Sequence, residues 1–223
     1  REMLKRMRRV MNEVKPGCLI DLHSNTGFSK GPATQYTEYF PYIDKLWFGE
    51  SFQYNKMSPA NWLVETSGIP FGLMGDMLQG GGNPWRGMIY GMTSRYPWKT
   101  DGVICEPQNI WKLWDDFGIA DADMVGYWSE RPLVTSSNPD VLVTAYRKNN
   151  KLLVSVASWA KDTVGVHLNI DWERVGWKPS QVLFRATPIQ NFQPSAQWKE
   201  GDILLIAPQQ GWLLETDRDP GKE

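Results

Sequence analysis

Two carboxylates facing one another are the minimal equipment for cleaving a glycosidic bond: one protonates the departing oxygen and the other acts as nucleophile or as base for water. The chain carries acids at the ends of short apolar runs. Leu46-Trp47-Phe48-Gly49-Glu50 stops abruptly on a carboxylate, Cys18-Leu19-Ile20-Asp21-Leu22-His23 closes on an acid and an imidazole, and Ile69-Pro70-Phe71-Gly72-Leu73-Met74-Gly75-Asp76 closes on another acid. Glu50 is the candidate proton donor and Asp21 the candidate nucleophile or transition-state stabiliser, with the two roles exchangeable. Candidate substrate contacts are His23, Asn25, Trp47, Asp76, Trp85 and Arg86. Each acid has a plainer use as a helix cap or as an ion-pair partner of Arg86 or Arg95.

Other chemistries fit less well. Asp21 and His23 share a strand face, since side chains two apart do, so Asp21, His23 and Glu50 form a conceivable metal set. The one other histidine, His167, lies far along the chain on the polar side of an alternating segment and reads as a surface residue. A histidine-rich metallohydrolase centre is therefore not assembled, and a metal-dependent hydrolase is a minor alternative. No cofactor is called for. Neither a Gly-x-Ser-x-Gly elbow nor a cysteine motif with a partner is present. Gly80-Gly81-Gly82-Asn83-Pro84 resembles an anion-cradling helix entry, but the Lys-Ser/Thr of a phosphate-binding loop is missing, and the glycines read as a turn or a loop over substrate.

The positioning elements follow from periodicity. Leu4, Met7, Val10, Met11 and Val14 recur at helical spacing over residues 1–15, with Lys5, Arg6, Arg8 and Arg9 on the opposite, solvated face. Lys15-Pro16-Gly17 stops that helix. The run to His23 is short and nearly continuous in apolar residues, as in a parallel strand covered on both faces. Gln35 to Asp44 predicts a short or irregular helix interrupted by Pro41, and Leu46 to Gly49 the next strand. Ser58-Pro59 starts a helix that Gly68 ends, and a third strand begins at Ile69. Strand starts about 25 residues apart, alternating with helices, build parallel α/β sheets and barrels. Right-handed crossovers would place Asp21, Glu50 and Asp76 on one edge. Trp85 to Met92 and Pro107 to Phe117 read as further helices, the second closed by Gly118, and Asp121 to Trp128 as a last short one.

Beyond the polar linker Ser136-Ser137-Asn138-Pro139-Asp140 the period changes. Val141 to Arg147 and Lys151 to Trp159 form a hairpin about Asn149-Asn150. Val164 to Ile170 alternates as one half-buried strand, and Val182 to Ala186, Ile203 to Ala207 and Gly211 to Glu215 are further strands. Helical patterns are absent here. The division is residues 1–135, carrying the site, and 136–223, an antiparallel sandwich of about 80 residues.

Composition agrees with a globular protein: 223 residues, 41% hydrophobic and 22% charged. A net charge of -1 leaves no basic excess for nucleic acid. The 12 tryptophans suit either a Trp-rich core or sugar stacking. Cys18 and Cys105 are too few and too distant for a disulfide framework and read as buried thiols. No stretch has membrane-spanning length and no signal peptide is visible. The chain begins at Arg1 inside a helix, without an initiator Met, so an N-terminal part with any export signal is expected to be missing.

Asp21-Leu22-His23-Ser24-Asn25, the run Pro41 to Glu50, and Ser67-Gly68-Ile69-Pro70-Phe71-Gly72 together resemble the later strands of the catalytic barrel in large bacterial glycoside hydrolase-like proteins of polysaccharide degraders. Lys151-Leu152-Leu153-Val154 and Asn169-Ile170-Asp171-Trp172 are similar to the β-sandwich appended to such barrels. The resemblance covers most of the chain. It implies an α/β partial (β/α)₈ barrel of TIM type, later strands only, followed by an all-β antiparallel sandwich, with the site at the strand C-termini. It further implies an oligosaccharide or polysaccharide substrate, a periplasmic or extracellular setting, and the absent N-terminal part as partner of this segment. A carbohydrate-binding or scaffold protein without catalysis is the rival reading.

Overall fold

Short apolar runs between helical turns assemble a three-stranded parallel sheet, β1 (Asp21–Ser24), β2 (Lys45–Phe48) and β3 (Met74–Asp76), in sequential order. The computed structural model describes residues 1–24, 33–48, 54–77, 82–96, 105–149, 151–178 and 182–218. It divides into two units, Arg1–Gly82 with Tyr90–Val103, and Asn83–Ile89 with Ile104–Glu223.

In the first unit the ladders align Asp21, Lys45 and Met74 in one row, Leu22, Leu46 and Gly75 in the next, and His23, Trp47 and Asp76 in the third. Side chains alternate between faces, so Leu22, Leu46 and Gly75 share one face and Asp21, His23, Lys45, Trp47, Met74 and Asp76 the other. The first face meets a core of Ile20, Phe40, Ile43, Leu46 and Leu73, with Met11 packed against it. Gly75 is dictated by its surroundings: a Cβ there would lie 2.1 Å from the Thr66 carbonyl oxygen and 2.9 Å from Met92 Cε. A parallel bridge between Met77 and Ser94 adds a strand-like segment beside β3, tied by Met77 N–H to Thr93 O and Arg95 N–H to Met77 O, both at 3.3 Å.

Several expectations shift by a few residues for identifiable reasons. β1 begins at Asp21 rather than ending near it. Upstream, Ile20 is held outside the ladder by its N–H bond to Asp44 Oδ2 at 2.7 Å and by two backbone N–H groups bonded to its carbonyl. Ile69–Phe71 is a 3₁₀ turn between left-handed Gly68 and Gly72, because Pro70 has no N–H for a ladder. The strand starts only at Met74. The Ser58-capped helix continues beyond Asn61 as a π-turn over Trp62–Thr66. Ala33–Tyr42 is a 3₁₀ helix that includes Pro41. Helix α1 (Glu2–Val14) forms as expected, but its faces do not. Arg8 points to the body and bonds Tyr42 O and Asp44, while Met3, Met7, Val10 and Val14 are exposed. Cys18 is half-buried, and Cys105 is the buried thiol. Among the described residues the parallel strands do not close a barrel.

The second unit is built on a six-stranded antiparallel sheet of order β11-β10-β13-β7-β6-β4. Its strands are β4 (Asp123–Val125), β6 (Val141–Lys148), β7 (Lys151–Ser158), β10 (Val182–Ala186), β11 (Ala196–Lys199) and β13 (Gly211–Arg218). Two short ladders, β5 (Val134–Ser136) with β9 (Leu168–Ile170) and β8 (Val164–Val166) with β12 (Leu204–Ile206), contribute to the same core. That core takes Val143, Ala145, Val154, Val156 and Leu214 from the large sheet and Leu168, Val166 and Ile206 from the ladders. Residues 152–158 are buried throughout. The reason is that the opposite face is covered by helix α2 (Pro84–Ile89), which packs on β7, β6 and β13.

Helix α3 (Pro107–Phe117) ends at left-handed Gly118, as expected. The expected helix over 121–128 is replaced by a 3₁₀ turn and β4, which pairs with β6. The expected single strand over Val164 to Ile170 breaks at exposed His167 into β8 and β9, which pair with different partners. A four-residue helix, α4 (Trp172–Val175), interrupts the strands, because Asp171 Oδ1 accepts from Arg174 N and caps it.

Candidate active site

The polar face of the parallel sheet gathers the chemistry of the first unit. Arg95 Nη2 donates to Asp21 Oδ2 at 2.6 Å, Arg95 Nε lies 3.9 Å from Asp76 Oδ2, and the guanidinium carbon sits 4.5 Å from the Trp47 ring centroid. Lys45 Nζ meets Asp76 Oδ2 at 2.7 Å. His23 leans on Trp47, with ring centroids 4.1 Å apart and planes inclined by 54°. Among the described residues the buried Trp47 indole N–H has no hydrogen-bond partner. Two carboxylates, two cations, an imidazole and an indole thus share one face.

The Arg95–Asp21 bond also spans the sheet. Arg95 belongs to the segment beside β3, so its guanidinium crosses the polar face of β3 and lies over Trp47 of β2 to reach Asp21 on β1. Behind it, Arg8 and Asp44 pin helix α1 to the starts of β1 and β2 through a 2.7 Å ion pair. Burial works to raise the Asp44 carboxyl, but the Arg8 hydrogen bond, the Ile20 N–H and the Arg8 charge together outweigh it and hold it below the ordinary aspartate value.

Of the residues singled out from sequence, Asp21, His23, Trp47 and Asp76 come together on this face. Asp21 stands at the start of its strand and Asp76 at the end of its own, so they are offset along the sheet, and Asp21 does not lie on the strand C-terminal edge expected from the sequence. Both are ion-paired, the plainer use foreseen for them. Glu50 and Asn25 lie outside the described residues. Trp85 and Arg86 belong to the second unit and are buried, 7% and 3% exposed. Trp85 stacks on Phe192 at 5.1 Å. Arg86 donates through Nε and Nη2 to the Ser158 carbonyl at 3.1 and 3.0 Å and lies over the Trp159 ring. Lys45 and Arg95 were not singled out as site residues. Lys45 opens an apolar run and Arg95 follows a segment with no strand pattern, so neither carried a signal beyond its charge. Asp21, His23 and Asp76 form no metal-holding group among the described residues.

A parallel sheet built from alternating strands and helices, followed by a β-rich unit, is the order of elements of an α/β domain with an appended β domain. Residues 1–97 match the glycoside hydrolase 123 TIM-barrel domain, and residues 106–217 match the glycoside hydrolase 123 C-terminal domain. The chain belongs to the glycoside hydrolase 123 family. No curated protein matches it by sequence. Among solved structures it is similar to a GH27 β-L-arabinopyranosidase from Geobacillus stearothermophilus, at 13% identity and a TM-score of 0.52 over 100% of this chain and 55% of that one. A GH30 endoxylanase from Clostridium papyrosolvens C71 matches at 14% identity and a TM-score of 0.46, over 97% of this chain and 60% of that one. The first likeness is one of fold. The chain spans 55–60% of the length of these two structures.

Proposed function

We propose that the protein hydrolyses O-glycosidic bonds of an oligosaccharide or polysaccharide, and that this chain supplies the later strands of a (β/α)₈ barrel together with an accessory antiparallel sandwich. The observation that carries the reading is the placement of Asp21, His23, Trp47 and Asp76 on one face of the parallel sheet in a chain of a glycoside hydrolase family. Glu50, two residues beyond the end of β2, acts as proton donor. Asp21 acts as nucleophile or stabiliser of the oxocarbenium-like transition state. His23, Asn25, Trp47 and Asp76 orient sugar hydroxyls and the ring face. Trp85 and Arg86 are assigned instead to holding helix α2 on the β-sheet. The test is turnover of a glycoside and glycan panel by the full-length protein, wild type against Glu50→Gln and Asp21→Asn. Losses of about 10²-fold or more in kcat are expected for an acid–base group. Undiminished activity in Glu50→Gln removes Glu50 from the chemistry.

The ion pairing of Asp21 and Asp76 favours one second reading, a carbohydrate-binding protein in which both acids are scaffold. Glycan binding that persists with no turnover across the panel would establish it.

A further inference from the structure

Within helix α1 only Leu4, Arg8 and Met11 are half-buried, and every other residue is exposed. With about 100° between successive residues, polar Glu2, Arg6, Arg9 and Glu13 lie opposite that inner side, as on any surface helix. Met3, Met7, Val10 and Val14 belong to neither side: they form a flank about 100° round from the inner one. They are 41 to 83% exposed. Their alternating spacing of four and three residues is that of a ridge which packs into another helix, yet among the described residues nothing covers it.

The direction of the flank follows from its neighbours on the helix. Arg8 reaches Tyr42 O and Asp44, at the approach to β2. Going round from Arg8 one passes Leu4 and Met11 and then meets the flank, which therefore turns away from β2. On that side β1 is the outer strand, with a single ladder, to β2. Leu19, ahead of β1, is 64% exposed. Met11 packs against the first-unit core and also lines, with Met3, Met7 and Val10, a groove of about 490 Å³ along the flank. The flank thus continues the core.

We infer that the flank and the outer edge of β1 together seat one more helix–strand unit of the same polypeptide, from the N-terminal side of Glu2; the inference rests on the barrel reading above. Its strand runs parallel beside β1, and its helix packs along Met3, Met7, Val10 and Val14. A free strand edge and an apolar stripe side by side are each a liability in water, and one unit of this kind covers both. A right-handed crossover brings α1 into β1 from such a strand. A second copy fits less well. Related by a two-fold, its β1 would arrive either antiparallel or with its helix on the opposite face of the sheet, whereas the strands of a TIM barrel, the domain residues 1–97 match, all run parallel.

The test uses the full-length protein, in which Met3 and Met7 are native probes. Oxidation of each methionine to the sulfoxide by hydrogen peroxide is followed by mass spectrometry, in the native protein and in urea. A seated unit should slow both by about tenfold or more relative to the unfolded chain. Native rates equal to the unfolded ones would overturn the inference. The occupant is read by placing a photo-cross-linking benzophenone side chain at Arg6, on the rim of the groove. The cross-linked peptide should come from the N-terminal side of residue 1 in the same polypeptide. A peptide from residues 105–223, or a covalent dimer, would overturn it instead. Glycoside turnover by the same wild-type protein reports the hydrolase reading separately. Turnover with unprotected Met3 and Met7 removes the seat alone, and protection with the expected cross-link but no turnover removes the hydrolase reading alone.

Discussion

At the scale of single residues, Asp44 carries more of the sheet's geometry than the acids chosen for chemistry. One carboxylate oxygen accepts from Arg8 on helix α1 and from the Ile20 N–H ahead of β1, both at 2.7 Å, so it fixes where β1 starts. The charged form is the one so bonded, and the folded carboxyl titrates below its ordinary value. Its stabilising contribution is therefore present above the unfolded value, about 3.9, and is lost as pH falls through the lower folded value. Asp44→Asn should cost about 1–2 kcal/mol at neutral pH. Urea unfolding at pH 7 and near pH 3 checks this: the gap to wild type should shrink at the acid end, and a gap independent of pH would contradict it. Cys105 gives a second residue-scale outcome. Burial, with the Glu106 charge beside it, pushes the thiol up to about 11, and only the thiolate reacts. Of the two thiols, half-buried Cys18 should react with a disulfide reagent at pH 8 in the native protein. Cys105 should react only after unfolding.

At the scale of elements, close approach of backbone explains what periodicity alone does not. Gly75 lies where β3 passes the π-turn, and an added methyl would press on the Thr66 backbone oxygen at 2.1 Å, which has no rotamer to move. Gly75→Ala should cost about 2–3 kcal/mol. Gly72→Ala meets no atom within 4 Å and has only its left-handed φ of 70° to strain, at about 1 kcal/mol. Denaturant midpoints should rank the two in that order, and the reverse order would refute the packing account. Helix α2 shows a related economy. Asn83 Oδ1 accepts from Arg86 N at its start, while Tyr146 Oη and Thr144 Oγ1 donate to the Met88 and Ile89 carbonyls at its end, each at 2.6 Å. A six-residue helix leaves most of its carbonyls unpaired, and strand side chains satisfy two of them. The sequence made such elements legible where a cap or an apolar run marked them: Ser58-Pro59, Pro107 to Gly118, the hairpin about Asn149, and the run to Phe48. It hid those set by partners. The start of β1 depends on Asp44, the break at His167 on two ladders with different neighbours, and the contacts of Arg95 on residues from three strands. None of these is a local property of spacing.

At the scale of the whole molecule, the β-rich unit raises the question of what a separately folding piece must contain. A division at residue 136 follows the change of sequence period, and 136–223 holds β6 to β13. Yet β7 is buried on both faces, which an antiparallel strand with one wet face would not be. Val154 and Val156 enter the core on one side, while Leu153 and Ser155, with Leu213 of β13 and Tyr146 of β6, face the side where α2 lies. Removing Asn83–Ile89 would bare that side, freeing the Ser158 carbonyl from Arg86 and the Tyr146 and Thr144 hydroxyls from the helix end. It would also strip Phe192 of Trp85. Cutting at 136 further removes β4, the partner of β6, and most of β5, the partner of β9. A sheet with a bared apolar face and unpaired edges is prone to association. A piece in which Asn83–Ile89 is joined by a flexible linker to Ile104–Glu223 should therefore unfold cooperatively on heating, with a near-ultraviolet circular dichroism signal from its packed tryptophans. A piece spanning 136–223 should melt broadly, bind a hydrophobic dye and self-associate. Equal cooperativity in the two would show that the large sheet needs neither its covering helix nor β4 and β5.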